Sequence, residues 1–200
     1  FTSTQNIDRL VSIYKACLRA GKTFVVDVYG AHILEKLSEF AKLPSLLKGY
    51  PKMGVYFYSK PTSKLMRKGY KKMVYKYTQK KIEKDDIINN PSNYVVLVRS
   101  SMVNDLKSMN IKNGNFIYSM WFGYKDQPKT KEFIDLFANN NFEIIDIHTS
   151  GHADVETLKE YANAINPKTI IPIHTNNKKD YKNIFSKTVL ELDDNQTYKI

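Results

Sequence analysis

Three of the four histidines in this chain fall between positions 148 and 174, and they belong to two short motifs, His148-Thr-Ser-Gly-His152 and Ile171-Pro-Ile-His174. Neutral imidazole is both the usual proton carrier near pH 7 and a common zinc ligand. A hydrolytic zinc centre takes at least three protein ligands. The chain has four histidines and one cysteine, and His32 sits far from the others on an early helix. It contains no His-x-His-x-Asp-His, no Cys-x-x-Cys and no His-Glu-x-x-His. The residues at hand therefore suit one side of an active site. A Ser-Gly-His turn feeding a helix offers N–H groups and the positive end of the helix dipole to a phosphate. The plainer alternative is that Ser150 and Gly151 form an ordinary N-terminal cap and turn.

The elements that must position these residues follow from the apolar pattern. Strands are expected over 24–28, 55–58, 94–98, 116–120, 142–147 and 169–173. Helices are expected near 5–20, 31–42, 62–82, 101–109, 129–139 and 154–165, with Gly21 closing the first. Strands apolar on both faces and separated by helices predict an α/β fold with a mostly parallel sheet covered on both sides. Ligands in such sheets bind beyond the carboxyl ends of the strands. One βαβ crossover would then set His152 and His174 on the same edge. Past Thr175 the pattern changes to a helix near 178–186 and two short strands, 188–192 and 196–200. Those tail strands could pair two subunits, so a homodimer is open.

The net charge of +11 is localised. Between Lys48 and Lys84 stand twelve Lys or Arg and one acid, Glu83, whereas the rest of the chain is balanced. Seven aromatics share that segment: Tyr50, Tyr56, Phe57, Tyr58, Tyr70, Tyr75 and Tyr77. Such interleaving suits RNA or another polyanion, with phosphates on lysines and bases on rings. The competing view is a solvated helix face over 62–82, with Leu65, Met66, Tyr70, Met73, Val74 and Tyr77 turned inward. No apolar run is long enough to span a membrane. The single cysteine, Cys17, fits a cytoplasmic protein. The chain opens at Phe1 without methionine and is read as a piece of a longer protein.

Three segments together resemble the β-CASP branch of the metallo-β-lactamase superfamily, the group of ribonuclease J and the mRNA 3′-end cleavage endonuclease. Phe1 to Arg9 is similar to the strand end and arginine-bearing helix that open the inserted domain. His148 to Ala153 resembles the family's motif B, and Pro172 to His174 its motif C. The resemblance implies a β-CASP domain over 1–141, followed over 142–200 by the C-terminal segment of a metallo-β-lactamase αββα sandwich. It implies that His174 is a zinc ligand and that His152 is catalytic, orienting the scissile phosphate or donating a proton. It also implies phosphate contacts from Ser150 and the N–H groups of Gly151 and Ala153. Arg9 on the first helix could join them, the plainer view being an exposed helix arginine beside Asp8. The other zinc ligands would lie on a missing N-terminal half, leaving this piece inactive and holding little or no zinc.

Four residues stay nearer their plain roles. His148 ends the same strand and supports the turn, while Trp121 at a strand end is expected to pack. His32 and Cys17 read as structural. The leading expectation is an RNA-processing, zinc-dependent phosphodiesterase. A non-catalytic nucleic-acid-binding module and a small-molecule ester hydrolase stay open beside it, as does endo- against exonucleolytic action.

Overall fold

The computed structural model describes residues 1–148 and 153–199. The chain divides into two compact units, Phe1–Thr149 and Ser150–Ile200.

Unit 1 alternates helix and strand. Its elements are α1 (Ile7–Arg19), β1 (Thr23–Asp27), α2 (Val28–Leu37), β2 (Met53–Tyr56), α3 (Ser59–Arg67), α4 (Lys71–Tyr75), α5 (Lys84–Asn89), β3 (Tyr94–Val96), α6 (Val103–Met109), β4 (Gly114–Tyr118), α7 (Pro128–Ala138) and β5 (Phe142–Asp146). All strand pairs are parallel, in the orders β2-β1-β3 and β4-β5. β1 is central, which is why Phe24-Val-Val is apolar on both faces. Phe24 and Val26 face a core built with Leu10, Tyr14, Leu34 and Val55. Val25, between them, faces a second core with Tyr58, Ile87 and Met102. A third core under β4 gathers Phe116, Tyr118 and Phe133 around Phe1, whose ring centroid lies 5.4 Å from that of Phe133.

The single sheet expected from the sequence is thus two sheets among the described residues of this unit. The edge of β4 away from β5 is taken by the N-terminal segment, since Ser119 donates its N–H to the Phe1 carbonyl at 2.9 Å. This compact unit, Phe1–Thr149, includes β5 beside β4.

Helix ends explain a second difference. α1 stops as expected at Gly21, in the left-handed region at φ 67°. There Lys22 N–H reaches Cys17 O at 2.8 Å and Gly21 N–H reaches Leu18 O at 3.1 Å, a Schellman motif. The helix expected over 62–82 is broken by the same device. Gly69 sits at φ 90°, with Tyr70 N–H on Leu65 O and Gly69 N–H on Met66 O, both at 3.1 Å. Two short helices result, and Asp105 caps the first of them by accepting from the N–H of Ser59.

Unit 2 contains α8 (Val155–Ile165), β6 (Thr169–Ile170), α9 (Tyr181–Ile184) and β7 (Thr188–Val189), with β6 and β7 parallel. The strand expected over 169–173 ends early, because Pro172 has no N–H to give to a ladder. The expected strand at 196–200 is absent over residues 196–199, and Ile200 lies outside the described residues. No helix among the described residues is long and apolar enough to cross a membrane.

Candidate functional site

The carboxyl ends of the strands in unit 1 collect its polar chemistry. α1 begins at Asn6, whose side chain accepts from the Arg9 N–H at 3.1 Å. This first turn aims the Arg9 guanidinium over the ends of β4 and β5. Its Nη1 donates to the Ser119 carbonyl just past β4 and lies 3.1 Å from His148 Nδ1 just past β5. A guanidinium has donors only. His148 Nδ1 therefore accepts, which places the ring proton on Nε2. Ser119 Oγ in turn donates to the Ile147 carbonyl, tying the two strand ends together. Arg9 and His148, far apart in the sequence, are thus two expected site residues that the fold brings into contact.

A second cluster stands at the ends of β1 and β3. Asp27 is buried, caps α2 by accepting from Gly30 N–H at 3.1 Å, and pairs with Arg99. Burial pushes its carboxyl up, against the pull of the Arg99 guanidinium and the Gly30 N–H. Arg99 also donates to Thr4 Oγ1 at 3.0 Å. Gly30 permits this approach, because a Cβ there would lie 3.1 Å from both Asp27 Oδ1 and Thr4 Cγ2. An open cleft of about 350 Å³ follows, lined by Thr2, Ser3, Thr4, Arg99, Ser100 and Met120. Met120 follows β4 and Arg99 follows β3, so the cleft lies where ligands of open α/β sheets bind. Neither Asp27 nor Arg99 belongs to a motif that the sequence singles out. The available signal was a charge closing each of two apolar runs, Phe24-Val-Val-Asp27 and Tyr94-Val-Val-Leu-Val-Arg99.

Trp121 does not pack as expected. It is 59% exposed, on a turn with Phe122 and Tyr124, and meets Tyr124 edge-on at 5.3 Å. His32 and Cys17 keep structural surroundings. His32 is half-buried on α2, and Cys17 is buried in the first core with its thiol pushed up to about 11 by burial.

Of the motif at 148–153, Thr149, Ser150, Gly151 and His152 lie outside the described residues. The expected meeting of His152 with His174 falls there as well. Ala153 is exposed, immediately before the cap of α8. That cap is Asp154, which accepts from Thr157 N–H at 2.7 Å and whose carboxyl this bond holds below its ordinary 3.8. Negative charge already complements the positive end of this helix. A phosphate bound by the motif would have to use N–H groups upstream of Asp154. His174 follows β6 and is exposed, with a left-handed φ of 55°. Among the described residues no three His, Cys, Asp or Glu side chains are grouped to hold a metal ion. His174 could give one ligand, and the described residues by themselves do not make a zinc site.

Residues 139–183 match the family model of the Zn-dependent metallo-hydrolase RNA specificity domain. That match supports the metallo-β-lactamase superfamily for this segment, and with it a zinc-dependent hydrolase with RNA specificity. No curated protein and no solved structure matches the chain.

Proposed function

We propose that the intact protein is a zinc-dependent phosphodiesterase acting on RNA, of the β-CASP type. Residues 1–141 would be its inserted domain and 142–200 a segment of its metallo-β-lactamase domain. The position of the family match carries this proposal: residues 139–183 take in both histidine motifs, His148 to Ala153 and Pro172 to His174. His174 contributes one zinc ligand, and residues outside this chain contribute the rest. When bound, zinc would supply an activated water and positive charge opposite the phosphate, with His174 among the residues that would hold it. This chain's own side chains do the positioning. Arg9, held by Ser119 and His148, presents a cation at the rim of the sheet. Ser150 and the N–H groups of Gly151 and Ala153 hold phosphate oxygens. His152 orients the phosphate or protonates the leaving oxygen. The basic segment 48–84 draws the strand in.

The test is cleavage of labelled RNA by the intact protein, with and without a chelator. His152→Ala should slow cleavage by about 10²–10⁴-fold, and His174→Ala should lower bound zinc. The 200-residue chain alone should neither cut RNA nor carry stoichiometric zinc. RNA bound but never cut by zinc-loaded intact protein would favour a non-catalytic binding module. Cleavage unaffected by metal removal would refute the proposal.

A further inference from the structure

We infer that Tyr70 and Tyr75 are base-stacking residues that make the basic face of unit 1 select single-stranded RNA over duplex. The inference rests on the RNA reading above and adds to it the element that discriminates between forms of RNA.

The fold separates the seven aromatics of segment 48–84 into two groups. Tyr56, Tyr58 and Tyr77 are buried, and Tyr50 and Phe57 are half-buried. Tyr70 and Tyr75 are 53% and 59% exposed. Tyr75 lies off the inward apolar stripe, and the break at Gly69 adds Tyr70 to the exposed group. In one continuous helix Tyr70 would continue the inward stripe of Leu65, Met66, Met73 and Val74. The left-handed Gly69 instead swings it out at the cap of α4. Leu65, Met66 and Met73 still pack on the core, with Val74 and Tyr77 buried. Two residues past α4, Tyr77 ties the chain to α2, its hydroxyl donating to Glu35. The outward face of α3 and α4 is therefore fixed.

That face is cationic without internal neutralisation. From Ser59 to Ile82 there is no acidic residue. Lys76 pairs with Glu35 and Lys81 with Glu83. Lys64, Arg67, Lys68, Lys71 and Lys72 are exposed and have no ion pair among the described residues. Lys71 and Lys72 stand four and three residues before Tyr75, so they neighbour its ring on the helix surface. Phosphate-binding ammonium groups beside solvent-facing phenol rings fit unstacked bases on a backbone, because every base offers a π-face. A duplex presents the same phosphates with its bases already stacked inside. It should gain from the lysines and not from the tyrosines.

The experiment measures binding of the 200-residue chain to labelled oligoadenylate and to its duplex with oligouridylate. Tyr70→Leu/Tyr75→Leu should weaken oligoadenylate binding by about tenfold or more and leave duplex binding unchanged. Tyr70→Phe/Tyr75→Phe should retain single-strand affinity, and unchanged unfolding midpoints would show that each variant folds. Lys64→Gln/Lys71→Gln should weaken both ligands and reduce the slope of log affinity against log salt by about 1.4 on the single strand. If the lysine variant weakens single-strand binding and the leucine variant does not, stacking is refuted while the RNA reading survives. If the chain binds no RNA, or binds it with neither variant having an effect, RNA recognition by this face is refuted as well.

Discussion

The Arg9 guanidinium lies 3.1 Å from Nδ1 of His148, although 139 residues separate them in the chain. The contact bridges the first helix of unit 1 and the end of its last strand. It fixes the proton of His148 on Nε2, the nitrogen turned away from Arg9. Long-range nitrogen–proton NMR on the histidine ring should show Nδ1 unprotonated and hydrogen-bonded. Arg9→Ala should remove that preference and leave a mixture of tautomers, whereas a spectrum unchanged by the substitution would contradict the contact.

Arg99 lines the cleft and pairs with Asp27, which is only 2% exposed. Removing one member of a buried pair leaves the other uncompensated. Arg99→Met should therefore cost about 3–5 kcal/mol in urea unfolding. The Asp27 carboxyl, already raised by burial, should rise further.

Glu35 gives stability a dependence on pH. Burial pushes its carboxyl up, but hydrogen bonds from Lys76 and Tyr77 outweigh that and hold it below its ordinary 4.5. A carboxyl lowered in the folded state binds protons more readily once unfolded. Its contribution is therefore fully present above 4.5 and is lost as pH falls through the lower folded value. Unfolding midpoints should decline over that acidic window, and Glu35→Gln should flatten the decline.

Cys17 should behave as an inert core residue. Its thiol is 2% exposed and raised from 9.0 to about 11. The thiolate fraction at pH 8 is then about a hundredfold below that of a free cysteine. Iodoacetamide should label Cys17 at the rate of unfolding, and fast labelling of native protein would show the first core to be open.

Gly69→Ala tests the helix break alone. A Cβ there meets nothing within 4 Å, so the whole penalty is the left-handed backbone. About 1–2 kcal/mol should be lost in thermal or urea unfolding.

The sequence by itself determined the local terms. An apolar run with β-branched residues made β1 a central parallel strand. Gly21 ended α1 where its left-handed freedom was needed, and a lone cysteine in an apolar stripe went into the core. The histidine motifs and the localised positive charge were equally legible, because spacing and net charge are properties of the chain itself. Tertiary structure decided what depended on contacts between distant residues. Arg9 meets His148, and Arg99 meets Asp27, only because parallel strands carry their carboxyl ends to one edge. Phe1 covers a β4 edge that strand periodicity had left open to one continuous sheet. Gly69 had the same capping chemistry as Gly21, yet the apolar spacing ran on past it and masked the stop. The exposure of Tyr70 followed from that break, since helical periodicity assigns faces only while the helix lasts.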